Sequence, residues 1–194
     1  MHRFAKEAVF RGLLYHYNSF VSNSTKARVV HTTAFFSLRP LLPSEQECLT
    51  TFWQEHWGAP LMVTRGVIHH ARDLSAFVAE DPAGAWVGLL SYRVEGGACE
   101  VMSLDALREG QGIGTALLGA IVGLARAQGL ARLWLITTND NTRALRFYQR
   151  RGWRLAALYP GAVEAARALK PSIPLSGDDG IPIRDEIELE YPLG

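Results

Sequence analysis

Apolar positions recur with regular periods in the second half of the chain. Across residues 112–128 they lie three or four residues apart, which predicts an amphipathic helix that ends at Gly129. The apolar stretch 132–137 predicts a buried strand. Residues 184–191 alternate charged and apolar side chains, which predicts a half-exposed strand that closes a sheet.

The region between residue 35 and this helix, and the region after residue 138, contain short segments separated by turn residues. We expect an α/β fold with a mixed central sheet flanked by helices. Strands are predicted at 35–38, 61–68 (or an extended loop there), 85–94, 99–104 and 153–159, and helices at 44–57, 71–79, 141–151 and 162–169.

Residues 1–34 differ in composition from the rest of the chain. They carry five basic residues against the single acid Glu7. One interpretation is a weak amphipathic helix over residues 6–17 that packs on the domain or on a partner. We favour the other, a disordered extension or a misassigned start, because termini are often unordered. The prediction is therefore an N-terminal extension, 1–34, followed by one domain, 35–194.

The charge balance limits the classes of partner. The 20 basic and 19 acidic residues are interleaved and give a net charge of +1, so nucleic acid is not an expected partner. Cys48 and Cys99 lack the spacing of a metal site or a disulfide framework, which favours a reducing cytoplasm and no metal. The neighbouring His69 and His70 are expected on a loop surface. No apolar run approaches the length of about 20 residues that spans a bilayer, so no membrane association is expected.

Residues 104–118 contain the most informative motif, a strand end followed by Gly110, Gly112 and Gly114 at the start of a helix. Glycines let backbone N–H groups approach a phosphate, and a helix N-terminus adds about half a positive charge. A dinucleotide fingerprint would need glycine in place of Leu117, and a P-loop would need Gly-Lys followed by Ser or Thr. Both are absent. The alternative that the glycines form only a tight turn stays open.

This glycine segment resembles motif A of the GNAT superfamily of acetyl-CoA-dependent N-acetyltransferases, in which Gln or Arg precedes two residues and then Gly-x-Gly or Gly-x-Ala. Gly112 and Gly114 match, whereas Glu109 replaces the usual Gln or Arg, so only its backbone N–H is carried over. The resemblance implies a site for the phosphates of CoA made of Glu109, Gly110, Gln111, Gly112, Ile113, Gly114 and Thr115.

Residues 141–153 resemble motif B of the same superfamily. Asn141 corresponds to the asparagine beside the cofactor, Tyr148 lies in the helical segment, and Gly152-Trp153 leads into the next strand. The two motifs appear in the family's order, and the resemblance covers about residues 35–191.

The resemblance implies an α/β/α sandwich with a mixed, splayed central sheet. The strand ending at Leu104 would separate from strand 132–137, and the pantetheine of acetyl-CoA would lie between them. The backbone near Met102 and Leu104 would then bond to pantetheine as an added strand.

Acetyl transfer by direct attack poses two proton problems. An alkyl ammonium has a pKa near about 10 and must lose a proton before it attacks, while the departing thiolate benefits from gaining one. Tyr148 matches the family tyrosine that acts as general acid toward sulfur. An ordinary core aromatic is the alternative interpretation of Tyr148.

Glu100 is the expected general base. Strand alternation would place it on the same face as Met102 and Leu104, where it would act through a water chain. A solvent-facing glutamate is the alternative. Asp105 and His70 are weaker candidates for the base.

Fold analogy assigns acceptor recognition to Trp53, Trp57, residues 61–67 and the last strand. Trp53 and Trp57 equally suit a core. Asp185 and Glu186 would attract a cationic amine, or would simply be solvated at a strand edge.

The expected reaction is acetylation of a primary amine, with a small molecule as the first choice of acceptor. A protein N-terminus or lysine is the second. Ribosomal-protein N-terminal acetyltransferases resemble residues 133–135, but carry a catalytic glutamate at the next position, where this chain has Ile136. A non-catalytic acyl-CoA-binding module is a third hypothesis, and a homodimer is left open.

Overall fold

The computed structural model describes residues 31–33 and 35–194, so the candidate helix 6–17 lies outside the described residues. The α-helices are α1 (Gln46–Trp57), α2 (Ile113–Ala127), α3 (Thr142–Gln149) and α4 (Ala162–Leu169). The strands are β1 (His31–Thr32), β2 (Ser37–Pro40), β3 (Leu61–Thr64), β4 (Val67–His70), β5 (Ser75–Glu80), β6 (Trp86–Glu95), β7 (Ala98–Ala106), β8 (Arg132–Thr138), β9 (Arg154–Tyr159) and β10 (Glu186–Tyr191).

Eight of these strands form one sheet in the order β1-β2-β5-β6-β7-β8-β10-β9, and helices cover both of its faces. On one face, Leu117 and Ile121 of α2 pack with Leu133 of β8. On the other face, Trp53 of α1 packs with Leu89 of β6. β7 and β8 pair in parallel and their outer neighbours are antiparallel, which confirms the predicted α/β/α sandwich with a mixed sheet.

The two parallel strands separate part-way along their length. They pair over residues 98–101 and 132–135, and beyond these residues each strand is paired only with its outer neighbour. A gap therefore lies between residues 102–106 of β7 and residues 136–138 of β8. The splayed sheet implied by motifs A and B is confirmed.

A β-bulge lies at Met102 of β7, beside this gap. Val101 pairs with Tyr92 and Ser103 pairs with Ser91, which leaves Met102 as the extra residue on its strand. An extra residue reverses the alternation of side chains between the two faces of a sheet.

The reversal corrects one prediction about β7. Met102 packs in the core beneath α1, whereas Leu104 packs against the core beneath α2. The expectation that Glu100, Met102 and Leu104 share one face is wrong for Leu104. Asp105 lies on the α1 side instead, where Nε1 of Trp57 donates a hydrogen bond to it at 3.4 Å.

The helix predicted at 71–79 is also wrong. Ala71–Asp73 forms one short 3-10 turn, and Ser75–Glu80 forms β5, between β2 and β6 in the sheet. Residues 76–79 are all buried because helices cover both faces. A strand covered on both sides is a continuous apolar run without alternation, which resembles a short buried helix in sequence.

The segment predicted as one strand or loop at 61–68 is a hairpin of β3 and β4. Arg65 and Gly66 have φ of 51° and 73°, as a two-residue hairpin turn with left-handed residues requires. His69 and His70 therefore lie on a strand, and not on a loop surface as expected. His69 is buried, and its Nε2 lies 3.1 Å from Oγ1 of Thr64.

The first strand, β1, lies before the expected start of the domain at residue 35. It pairs with β2 through His31 and Leu38, and the hydroxyl of Thr33 accepts a hydrogen bond from the N–H of Phe36 at 3.1 Å. The neighbouring strand runs over Ser37–Pro40, two residues later than predicted. No described helix has the length and apolar character to cross a membrane.

Candidate functional site

The gap between β7 and β8 opens into a cavity of about 430 Å3, within the range of small-molecule sites. Its apolar walls come from several elements and include Trp57, Met62, Met102, Ile136 and Val163. Polar side chains also line it: His56, Thr64, Thr137, Thr138, Asp140, Asn141, Lys170, Ser172 and Glu186.

The predicted glycine loop connects β7 to α2. Gly110 and Gly112 have φ of 75° and 78°, a left-handed conformation that favours glycine, and Gly112 is the N-cap of α2. A Cβ on Gly114 would lie 3.1 Å from the ring of Phe147. The first N–H groups of an α-helix have no partner within the helix. Those from Ile113 onward are therefore available to an anion.

The side chains of the loop point away from this helix N-terminus or into the core. Glu109 is exposed and pairs with Arg143 of α3 at 3.0 Å, so its carboxylate is bound by a cation. Gln111 is exposed and the side chain of Ile113 is buried. Their backbone N–H groups are what these residues offer to a ligand, as expected for Glu109.

A second cavity, of about 540 Å3, lies beside the glycine loop and is lined by cations that the sequence analysis missed. Arg151 donates two hydrogen bonds to Oγ1 of Thr115, at 2.9 and 2.7 Å. Three more arginines line the cavity: Arg143, Arg146 and Arg150. Their spacing of three or four residues along α3 is visible in the sequence and could have predicted a basic helix face.

Asn141 and Tyr148 lie at opposite ends of α3. Oδ1 of Asn141 accepts a hydrogen bond from the N–H of Ala144 at 3.0 Å, which confirms it as the predicted helix cap, and Asn141 lines the 430 Å3 cavity. Tyr148 is buried against Phe147 and Trp153. It therefore belongs to the core, whatever its role in chemistry.

The fold brings Asp105 close to Tyr148. Burial raises the pKa of the Tyr148 phenol, and the charge of Asp105 raises it further. Burial also raises the pKa of Asp105 to about 6, against hydrogen bonds from Trp57 and Ser103 that favour the charged form. Asp105 is thus a partly buried carboxyl group that titrates near neutral pH.

Glu100 has a different environment. It is buried, and it pairs with Arg93 at 3.0 Å. Burial raises the pKa of its carboxyl group, while Arg93 and a hydrogen bond with Thr64 oppose that rise. Glu100 does not line the cavity itself, but Thr64 does.

The candidate acceptor residues separate into two groups. Trp57 and Glu186 line the cavity. Trp53 is fully buried and donates a hydrogen bond to Ser103 at 3.2 Å, and Asp185 accepts one from the N–H of Gly161 at 2.9 Å. His70, at the end of β4, is absent from the cavity lining. Within residues 31–33 and 35–194, no group of three side chains could hold a metal ion.

Residues 38–153 match the model of the Acetyltransferase (GNAT) family. The chain belongs to this family. The matched residues run from β2 to the end of α3, and so include the glycine loop and both separated strands. Membership supports transfer of an acetyl group from acetyl-CoA, and it confirms the resemblance of motifs A and B.

Two proteins of Bacillus subtilis (strain 168) are similar to this GNAT protein. The uncharacterized protein YdhI is 46% identical over 139 residues, which are 72% of this chain and 87% of YdhI. The uncharacterized protein YxbD is 44% identical over 154 residues, 79% of this chain and 97% of YxbD.

A solved structure shows the same fold. It is a GNAT family acetyltransferase from Elizabethkingia anophelis with acetyl-CoA bound, which superposes with a TM-score of 0.52 and 21% identity. The superposition covers 61% of this chain and 75% of the other.

Proposed function

We propose that this GNAT protein transfers the acetyl group of acetyl-CoA to a primary amine of a small molecule, by direct attack within a ternary complex. The observation that carries the proposal is the gap between residues 102–106 and 136–138, with the glycine loop at the end of β7. Pantetheine can add to the free edge of β7 near Met102 and Leu104 as an extra strand.

The cations beside the glycine loop suit the phosphates of CoA. In this proposal the pyrophosphate binds the N–H groups at the start of α2, from Ile113 to Thr115. Arg146 and Arg150 on the neighbouring face of α3 then meet the remaining phosphate, on the ribose. The ion pair with Arg143 keeps the carboxylate of Glu109 from repelling these groups.

The reaction forms a C–N bond at the acetyl carbon and breaks the C–S bond to CoA. An alkyl ammonium acceptor loses two protons in all. One goes to the base, and from there to solvent, before attack; the other leaves the nitrogen as the C–N bond forms and balances the proton that the thiolate of CoA gains. Tyr148 is the proposed donor to sulfur, because its raised pKa keeps the phenol protonated at neutral pH.

Glu100 is the proposed acceptor of the amine proton, through Thr64. The hydroxyl of Thr64 lines the cavity and hydrogen-bonds with Glu100, so it can pass a proton from amine to carboxylate. Asp105 is a second candidate for the base because its pKa of about 6 suits proton transfer near neutral pH.

In Glu100→Gln the rate of acetyl transfer should fall most at low pH, where free amine is scarce. If Asp105→Asn shows that loss and Glu100→Gln does not, Asp105 is the base.

The size of the cavity favours a small acceptor over a protein. Segment 171–180 and α4 contribute Ile173, Pro174 and Val163 to its walls, so the cavity is bounded on the side of the last strand. Ile136 lines it as an apolar residue and supplies no carboxylate. These features argue against a protein N-terminus as acceptor.

Acetyl-CoA turnover with a panel of amines tests the proposal. A ligand at a hundredfold excess over its Kd adds about 2.7 kcal/mol of stability, so acetyl-CoA should raise the Tm clearly, and NAD and ATP much less. Mass spectrometry should then detect an acetylated small amine and no acetylated peptide. Binding of acetyl-CoA without any acetylated product would instead indicate a non-catalytic binding module.

A further inference from the structure

One end of the 430 Å3 cavity holds two buried carboxylates. Glu186 of β10 is 2% exposed, and Asp140, in the turn after β8, is 7% exposed. Both line the cavity. Glu186 pairs with Thr138, the last residue of β8, and Asp140 follows two residues later, so both lie at one end of the strand.

Glu186 keeps unused acceptor capacity. Both of its oxygens accept from the N–H of Arg65, at 2.9 and 3.2 Å. The guanidinium of Arg65 pairs instead with Glu188, at 3.6 Å, and lies over the ring of Tyr159. A carboxylate can accept about four hydrogen bonds, so one N–H leaves most of that capacity open. Burial raises the pKa of Glu186, and the backbone N–H and the positive charge of Arg65 oppose that rise.

Asp140 has an unpaired oxygen. Its Oδ1 is buried and has no hydrogen-bond partner among the described residues. Buried polar atoms in folded proteins almost always have a partner, so an orphaned oxygen on a side chain that lines a cavity points to a ligand that donates a hydrogen bond to it. Gly177 leaves room for this side chain, because a Cβ at residue 177 would clash with Asp140 Oδ2.

The ammonium group of Lys170 is already hydrogen-bonded within the protein. Lys170 lines the same cavity, but its Nζ donates to the backbone carbonyls of Trp57 and Leu61, at 3.1 and 3.2 Å. Within the described part of the chain, no ion pair reaches Glu186 or Asp140. A cation from outside the protein would therefore meet two buried carboxyl groups that have no ion-pair partner.

We propose that the acceptor is an aliphatic diamine, whose second ammonium group binds between Glu186 and Asp140 while its first amine is acetylated beside Met102 and Ile136. This rests on the proposed function. Along β8, Ile136 and Thr138 are two residues apart, about 7 Å, which is the span of six extended backbone bonds. Five carbons between two nitrogens give the same number of bonds.

The test compares 1,5-diaminopentane with 5-amino-1-pentanol, which has the same length but a hydroxyl in place of the second ammonium. The diamine should have a kcat/KM at least about tenfold higher, the effect of a charge-assisted hydrogen bond. In Glu186→Gln and in Asp140→Asn the ratio of kcat/KM for the diamine to kcat/KM for the amino alcohol should fall to about one, whereas Glu190→Gln should keep the wild-type ratio. Glu190→Gln is the matched control on the same strand, because Glu190 pairs with Arg132 outside the cavity.

Calorimetric titration of the diamine in the presence of CoA separates this proposal from the proposed function. Equal kcat/KM for both compounds in the wild-type enzyme overturns the diamine site and leaves amine acetylation standing. Diamine binding that is weakened in Glu186→Gln but not in Glu190→Gln, without acetylated product, supports the cation site and overturns the proposed reaction. If Glu186→Gln does not fold, the test rests on Asp140→Asn. A wild-type ratio of kcat/KM for the diamine to that for the amino alcohol in Asp140→Asn then overturns the proposal.

Discussion

Asp105 affects the protonation of Tyr148, although the two residues lie far apart in the sequence. Each is desolvated by the core around it, and the negative charge of Asp105 adds to the rise in the pKa of Tyr148. Trp57 hydrogen-bonds to Asp105 and also lines the cavity, so the pair is linked to the proposed acceptor site. At the scale of single residues, the chemistry of the site therefore depends on which groups the core desolvates.

Tyr148→Phe removes one hydroxyl and keeps the aromatic packing. Turnover should fall by about 10²-fold or more, as is typical for loss of a general acid, while the affinity for acetyl-CoA stays within about twofold. Steady-state kinetics and calorimetry would measure the two effects. Tyr191→Phe is the matched control, because Tyr191 packs on the other side of Trp153. Full activity in Tyr148→Phe would leave this tyrosine as a packing residue.

Asp105 should make the stability of the protein depend on pH. Its pKa is about 6 in the folded state, against a usual value near about 4, so the folded state binds the extra proton between these two values. Its contribution to stability is then present below about pH 4 and is lost as pH rises through about 6. Urea unfolding should show that Asp105→Asn gains about 1 to 3 kcal/mol relative to the wild type between pH 4 and pH 7. If the free energies of unfolding of Asp105→Asn and of the wild type changed in the same way with pH, the pKa of Asp105 would not be raised.

At the scale of elements, the site lies where the end of β7 meets the start of α2. The bulge at Met102 places Asp105 on the α1 side, and the loop after β7 then leads into the N-terminus of α2, where the phosphates of CoA are proposed to bind. Both features change the direction of the chain within a few residues. The proposed cofactor site therefore depends on backbone conformation more than on particular side chains.

Two glycines at the two ends of α2 allow a matched test of this dependence. Gly112 and Gly129 both have positive φ, and a Cβ on either would meet no atom within 4 Å. Gly112→Ala and Gly129→Ala should each lose about 1 kcal/mol of stability, since both force alanine into a left-handed conformation. Only Gly112→Ala should weaken CoA binding, by at least about tenfold, because its methyl group occupies the proposed phosphate position. If calorimetry gave equal CoA affinities for Gly112→Ala and Gly129→Ala, Gly112 would have only a structural role.

Elements with a visible period could be predicted from the sequence, and features made by strand pairing could not. The period of α2 follows from exposure on one side, and the glycine motif is local in the chain. The half-exposed strand predicted at 184–191 to close the sheet is wrong in its exposure, because Glu186 and Glu188 of β10 are buried and β9 lies outside β10 at the edge. The run at Ser75–Glu80 was misassigned because burial on both faces removes the alternation that marks a strand. The bulge at Met102 depends on the register with β6, and the position of Glu186 beside Thr138 depends on the register of β10 with β8.

At the scale of the whole molecule, the described sheet extends beyond the stretch matched by the GNAT family model. β10 and β9 complete it on the C-terminal side, and β1 adds an outer strand on the other side. Segment 171–180 contributes Ser172, Ile173 and Pro174 to the cavity, so residues outside the matched stretch help to form the proposed acceptor site.

The boundary of the domain can be tested with two truncated chains. We expect a chain that starts at His31 to bind acetyl-CoA as the full chain does, since the residues before it differ in composition from the domain and contain none of the motif residues. A chain that starts at Phe35 loses β1 and the hydrogen bonds to Thr33, so its Tm should be about 2 to 4 °C lower for each kcal/mol lost. Thermal unfolding with and without acetyl-CoA would measure both. Loss of binding in the His31 chain would place essential residues in the extension.

The separation of β7 from β8 also bears on aggregation. A free strand edge on the outside of a protein invites pairing with other chains. Here two such edges, at residues 102–106 and 136–138, lie inside the molecule, where Trp57, Met62 and Val163 cover the space around them. A narrow ligand can reach these edges, whereas a second polypeptide with side chains on both sides is too wide. The unpaired edges of β7 and β8 therefore lie in the interior, where they are not exposed to strand pairing with other molecules of the same protein.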